Sequence, residues 1–368
     1  MDLVELGWNS FFDKHFEQYE SQGLTAMRVI REHKEKYIVS GSAGELAAEV
    51  SGKFRFNALS RGDFPAVGDW VAAMKLPGED RAVVQAMLPR KSNFSRKAVL
   101  SGGNPDSGGK TDEQVLAANI DTVFLVSGLD GDFSVRRVER YLATAWESGT
   151  DPVIVLNKAD LCPDIESTTA EIESVAMDVP VVVISAANND GFEAFDRFIK
   201  PGQTVALLGS SGVGKSTIIN CLLGEDRLKT MSVREDDSRG RHTTTYRELI
   251  VLPGGGIVID TPGMREIQMW GDDKGLERAF TDIEQLFDQC QFNDCRHETE
   301  PGCAVRQALE DGSLDKKRYG NYIRLQKEQQ SLALRKNQKE YRQSIRARTK
   351  HIRRISKTRD ELRKKGLI

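Results

Sequence analysis

Cysteine and histidine are scarce, five residues each in 368. An odd number of cysteines (Cys162, Cys221, Cys290, Cys295, Cys303) argues against a disulfide framework. Three of them fall within fourteen residues, which argues for a metal cluster instead. Long apolar runs are missing: the longest, such as Val123–Val126 and Val179–Ile184, are strand-sized. None approaches the ~20 residues of a spanning helix, so no membrane partner is expected. The N-terminus carries Asp2 and Glu5 and lacks a basic-then-apolar export pattern, so a cytoplasmic location is expected. Net charge is also small, at −3, but unevenly spread. Residues 316–365 hold nineteen Lys/Arg and four Asp/Glu, a balance of +15 that leaves −18 for the rest. A basic segment on an acidic body points to a polyanionic partner, most simply RNA. A solvated helix face or a tail would give the same count.

The length allows two or three domains. Residues 1–35 hold Trp8, Phe11, Phe12, Phe16 and Tyr19 at roughly helical spacing, which predicts a short N-terminal helical extension. Over 36–97 the pattern becomes short β-type runs, Tyr37–Val39, Leu46–Val50, Trp70–Met74 and Ala82–Met87, broken by Gly, Asp and Pro. That suits a small closed barrel. Periodicity does not separate an OB-fold from an SH3-like barrel. A Gly/Ser stretch over 101–111 reads as a linker and loop. From 98 to 272 the rhythm is α/β, with strands at Asp121–Ser127, Pro152–Leu156, Val181–Ile184, Gln203–Leu208 and Gly256–Ile259 and a helix at Val135–Ser148. Such alternation predicts a doubly wound sheet. Residues 273–335 turn helical and polar around the Cys/His residues, and 336–368 form a basic extension.

Three motifs carry the chemistry. Gly209, Ser210, Ser211, Gly212, Val213, Gly214, Lys215 and Ser216 follow an apolar strand and precede a helix-like run from Thr217. That is the strand–loop–helix context of a phosphate loop. Its backbone N–H groups would cradle phosphates, Lys215 would reach the β/γ oxygens, and Ser216 would bind Mg²⁺. Asn157-Lys158-Ala159-Asp160 follows the strand ending at Leu156. A fixed Asp160 carboxylate accepts from guanine N1–H and the N2 amine, while Lys158 can cover the base with its alkyl stem. Asn157 would bridge neighbouring loops, and Ser185-Ala186 could meet guanine O6. Asp260-Thr-Pro-Gly263 follows a further strand, with Asp260 toward Mg²⁺ and the Gly263 N–H toward the γ-phosphate. In the stretch between, Thr244, with Thr243 beside it, would complete the Mg²⁺ shell. The residue after Gly263 is Met264, whose thioether cannot orient water as a glutamine would. Slow intrinsic hydrolysis is therefore expected, with His242 the local candidate to assist. The motifs run in rotated order: guanine selector, phosphate loop, then Asp260.

Cys290, Cys295, His297 and Cys303 place four soft or borderline ligands in fourteen residues. Four protein ligands close a tetrahedral shell, so one structural Zn²⁺ is expected, with an iron–sulfur centre less natural beside a histidine.

The chain resembles the circularly permuted, small-subunit-dependent GTPase A family of bacteria. The resemblance rests on Pro65–Val71, Gln114–Asp121, Asn157–Asp160, the phosphate loop, Gly240–Thr244, Asp260–Gly263 and the Cys/His spacing with Glu300–Ala304. It implies an N-terminal OB-fold barrel, a circularly permuted α/β P-loop GTPase and a C-terminal helical zinc-binding domain. It also implies hydrolysis of GTP to GDP and phosphate, stimulated by the 30S subunit, in late 30S maturation. The partners would be the 30S subunit and its 16S rRNA, not DNA, and the protein would act as a monomer. Lys215, Thr244 and His242 would serve catalysis. The other reading of the same residues is an rRNA-binding assembly scaffold whose GTPase is vestigial. Because Asp260–Gly263 runs through Met264–Lys274 toward the Cys/His region, the nucleotide state would move that region relative to the barrel.

Overall fold

The structure, a computed structural model, describes residues 2–33, 36–99, 111–131, 133–228, 247–260 and 274–334. Helix α1 (Ser10–Glu20) is capped by the Asn9 side chain. Strands β1 (Thr25–His33), β2 (Lys36–Gly41), β3 (Gly44–Val50), β4 (Trp70–Lys75) and β5 (Arg81–Met87) follow, with a short helix α2 (Gly52–Asn57) after β3. They pair in the order β1-β2-β3-β5-β4, and β4 returns to β1 to close an OB-like barrel with β3 and β5 parallel. Met27, Val29, Val39, Leu46, Val71 and Val84 fill its interior.

The barrel thus begins before residue 36. Thr25–His33 falls within the stretch expected to be a helical extension, but it is the strand that closes the barrel. Its hydropathy is obscured by Arg28, which is 1% exposed yet sits in mid-strand. Arg28 donates to the carbonyls of Leu6 (2.5 Å), Gly68 (3.1 Å) and Asn119 (3.1 Å). Burial lowers its pKa to about 10, opposed by the charges of Asp121 and Asp69. Helix α1 packs outside the barrel, with the rings of Trp8 and Phe12 at 4.7 and 5.7 Å from Trp70.

Strands β6 (Asn93–Val99) and β7 (Thr111–Ala118) form a separate antiparallel pair on either side of the Gly/Ser stretch. The α/β unit then runs β8 (Thr122–Gly128), α3 (Val135–Ser148), β9 (Asp151–Asn157), α4 (Ile165–Val175), β10 (Val181–Val183), β11 (Thr204–Gly209), α5 (Lys215–Leu223), β12 (Arg247–Val251) and β13 (Ile257–Asp260). Its order in space is β10-β9-β8-β11-β13-β12, parallel except for β12. The central strands β8, β9 and β11 are buried on both faces and read as nearly continuous apolar runs. The phosphate-loop strand β11 lies centrally although it comes late in the chain, which is the spatial consequence of the rotated motif order. Edge strand β12 pairs with β1, so the barrel and the α/β sheet form one eleven-stranded sheet. Arg31–Glu248 (2.7 Å) and Arg247–Glu32 (2.8 Å) cross that seam.

The last unit comprises α6 (Lys274–Ala279), α7 (Thr281–Phe287), α8 (Ala304–Asp311) and α9, over 316–334. It packs on α3: Leu276, Phe280, Ile283, Tyr322 and Leu325 share one core with Val138 and Leu142. Among the described residues no helix is long and apolar enough to cross a membrane.

Candidate functional site

Open α/β sheets present ligand sites at the carboxyl ends of their parallel strands. The expected nucleotide loops follow β9, β10 and β11, and Asp260 ends β13. Asn157 is 2% exposed and ties three of these loops together. Its Nδ2 donates to the Val213 carbonyl at 2.8 Å, and its Oδ1 accepts from the Ala186 amide at 3.0 Å. Gly214 makes this approach possible. Its φ is +99°, and a Cβ there would lie 2.3 Å from Asn157 Nδ2.

Asp160 is exposed on the loop after β9, and one of its carboxylate oxygens accepts from the Ser185 hydroxyl at 2.5 Å. Lys158 has a left-handed backbone, φ 66°, and its Nζ lies 2.5 Å from Asp130. In the phosphate loop Ser210 is half-buried, Ser211 and Gly212 are exposed, and Val213 is buried. Lys215, at the start of α5, arches back over the loop and donates to the carbonyls of Gly209 (2.8 Å) and Ser210 (2.6 Å). Ser216 and Thr217 are half-buried in the first turn of α5. Burial pushes the Asp260 carboxyl pKa up, the neighbouring Glu248 adds to this, and Lys215 opposes it. Once ionised, the Asp260 carboxylate at the end of β13 is the kind of hard oxygen ligand a divalent cation takes, as is the Ser216 hydroxyl in the first turn of α5. His242, Thr243, Thr244, Gly263 and Met264 lie outside the described residues.

Some partners of these loops were not apparent in the sequence. Asp130, two residues beyond β8, meets Lys158, and Arg137 of α3 reaches the Ser210 hydroxyl at 3.4 Å. The Cys221 thiol faces the Ala186 carbonyl at 3.6 Å. Neither Asp130 nor Arg137 belongs to a spacing pattern. The available signal was position, since both follow a strand whose end lies on the nucleotide side.

The second cluster brings Cys290, Cys295, His297 and Cys303 together, with ligand atoms within 4.8 Å of one another. His297 Nδ1 lies 3.5 Å from the sulfurs of both Cys290 and Cys303. A tetrahedral ion with Zn–S of about 2.3 Å and Zn–N of about 2.0 Å has an S···N edge of roughly 3.5 Å, so the donors fit zinc. Burial opposes ionisation of Cys290, but the amides of Ala304 and Val305 at the start of α8 bring its pKa below the usual thiol range. The His297 ring stacks on Phe287 at 4.3 Å, which fixes its orientation. Glu300 organises the loop by accepting from the Arg296, Glu298 and Thr299 amides, each at 3.0 Å. Backbone amides, those of Glu300 itself and Arg296 first, hold its carboxyl at a pKa of about 2.

A family model described as RsgA GTPase matches residues 87–270, a span that includes the phosphate loop, the Asn157–Asp160 loop and Asp260. The chain belongs to the RsgA GTPase family. It is a circularly permuted P-loop GTP hydrolase. It is 48% identical to the small ribosomal subunit biogenesis GTPase RsgA of Opitutus terrae over 338 residues, 89% of this chain and 90% of that one. The protein of the same name from Syntrophotalea carbinolica is 42% identical over 94% of this chain and 96% of its own. Among solved structures, YjeQ from Thermotoga maritima matches with a TM-score of 0.61 and 28% identity, covering 83% of this chain and 98% of that one. YloQ, described as a circularly permuted GTPase, shares the fold with a TM-score of 0.58 at 23% identity, over 84% of this chain and 96% of its own.

Proposed function

We propose that this RsgA-family GTPase binds the small ribosomal subunit in late 30S maturation and hydrolyses GTP to GDP and phosphate under 30S stimulation. The observation that carries the nucleotide part is the single buried amide of Asn157, which locks the phosphate loop, the Asn157–Asp160 loop and the Ser185-Ala186 loop into one cup. In that cup the base would rest on the Lys158 stem, and Asp160, steadied by Ser185, would read its N1–H and N2 amine. The amides of Gly209 through Thr217 would receive the phosphates at the α5 N-terminus. Lys215 would release the loop carbonyls and swing its ammonium to the β/γ oxygens. Ser216 and Asp260 would hold Mg²⁺, which neutralises charge on the β- and γ-phosphates. Thr244 and Gly263 would complete the γ-phosphate contacts, and His242 would assist the attacking water that Met264 cannot orient.

Cys290, Cys295, His297 and Cys303 would hold one structural Zn²⁺. Four protein donors close the shell and leave no position for substrate water. The barrel from residue 25, the α/β unit to 272 and the helical unit over 273–335 form the working division of the chain, with 16S rRNA and the basic extension over 336–368 as the expected contact. The protein would act as a cytoplasmic monomer. The names of the relatives at over 40% identity support the ribosomal role. The deciding measurement is GTP turnover with and without purified 30S subunits, with 50S subunits as control. Turnover raised by 30S alone supports the reading. Equal turnover under all three conditions overturns the 30S-stimulated part.

A further inference from the structure

Asp130 belongs to none of the nucleotide motifs, yet it holds the lysine expected to cover the base. Its Oδ2 lies 2.5 Å from Lys158 Nζ, and the two side chains are 30% and 20% exposed. Three features fix the carboxylate at that point. Strands β8 and β9 run in parallel register through Gly128 and Asn157. The Leu129 amide donates to the Asn157 carbonyl at 2.8 Å, which ties the two loops together. A Cβ on Gly128 would lie 2.9 Å from Asp130 Oδ1, so the glycine leaves room for the carboxylate to turn back toward Lys158.

We propose that Asp130 is a positioning residue for the guanine base: it anchors the Lys158 ammonium past the base edge, so that the four-carbon stem lies flat on the purine face. The inference rests on the guanine-site reading above. A lysine stem loses rotamer freedom when it is held in one path, and a stem already held in the free protein spares that loss at binding. The division of labour is chemical. Asp160 reads the hydrogen-bonding edge of the ring, whereas Lys158 covers its face and is indifferent to the 2-amino group. Loss of Asp130 therefore weakens guanosine and inosine nucleotides alike and leaves edge selectivity intact. A partly exposed ion pair with no such role would leave nucleotide binding unchanged.

The test uses the full-length protein and four variants: Asp130→Asn, Asp130→Glu, Lys158→Met and the double Asp130→Asn/Lys158→Met. Affinity for fluorescent GDP, displacement by GTP and by ITP, and kcat and KM in the presence of 30S subunits are measured, with Tm as the folding control. Asp130→Asn is expected to weaken GDP binding roughly five- to tenfold. The GTP/ITP ratio and saturated kcat should stay at wild-type values, and the double variant should be no weaker than Lys158→Met alone. If Asp130→Asn does not fold, Asp130→Glu, whose carboxylate is displaced by one methylene, is read against Lys158→Met in the same way. Wild-type affinity in the Asp130 variant, or losses that multiply in the double variant, overturns the proposal while leaving the guanine site standing. Failure of the wild-type protein to prefer GTP over ATP would instead overturn the guanine-site reading itself.

Discussion

Replacing Arg318 with methionine should orphan a buried charge and cut stability in a strongly pH-dependent way. Arg318 of α9 donates to Glu139 of α3 at 2.7 Å and to both oxygens of Asp282 at 2.6 and 2.8 Å. Its side chain is 9% exposed, and that of Glu139 is 2% exposed. Burial raises the Glu139 pKa, while Arg318 and the Asn321 amide oppose the rise. In Arg318→Met, burial and the Asp282 charge act on Glu139 against Asn321 alone. Breaking one side of such a pair costs about 3–5 kcal/mol. Proton uptake sets a ceiling on that cost. Relative to an unfolded glutamate near pKa 4.3, keeping Glu139 protonated costs about 4.4 kcal/mol at pH 7.5 and about 1.6 kcal/mol at pH 5.5. The sign follows from the raised folded pKa: the protonated form's stability is present in full below about pH 4.3 and is lost as pH rises through the folded value. The variant should therefore regain up to about 2.7 kcal/mol between pH 7.5 and 5.5, beyond any change in wild type. Adding Glu139→Gln to Arg318→Met should remove this excess pH dependence and restore most of the loss. Urea unfolding can be followed by the fluorescence of Trp146, which lies on α3 beneath Arg278 at 3.5 Å. A loss under 1 kcal/mol at pH 7.5, or the same loss at both pH values, would refute the reasoning.

Gly214→Ala should weaken GDP binding at least tenfold with little change in fold, because both the positive φ and the Asn157 contact exclude a side chain; fluorescent GDP titration checks this. Elemental analysis should find one zinc per chain, and chelation or Cys303→Ala should raise hydrogen exchange across 274–334. Unchanged exchange after loss of the metal would deny it a structural role. Asp260→Asn should abolish Mg²⁺-dependent turnover yet raise the Tm of the nucleotide-free protein near pH 7.5. With the folded pKa raised, the wild-type carboxyl contributes less as pH rises through that value, and the Tm gap should close on acidification. Deleting 336–368 should weaken 30S binding and flatten its dependence on salt. Identical binding curves at low and high salt for the two forms would show that the extension plays no part.

Local patterns determined much of this protein. Helix α3 occupies the span its periodicity predicts, Val135–Ser148. The phosphate loop and the Asn157–Asp160 loop follow strands as expected, because each motif needs a strand end and brings its own apolar run. Cysteine and histidine spacing alone defined a four-donor cluster, since all four residues sit within one short loop-and-turn segment. Contacts between segments remote in the chain were decided by tertiary structure. Strand β1 hid behind Arg28, a charge that hydropathy counts as exposed and that three carbonyls make tolerable inside. The union of barrel and GTPase sheet through β1 and β12 depends on edge strands meeting, and an unpaired edge carries no sequence mark naming its partner. Asp130 met Lys158, and Arg318 met Glu139, for the same reason: complementary charge is common in any chain, and only the packed fold selects which opposite charge comes within reach.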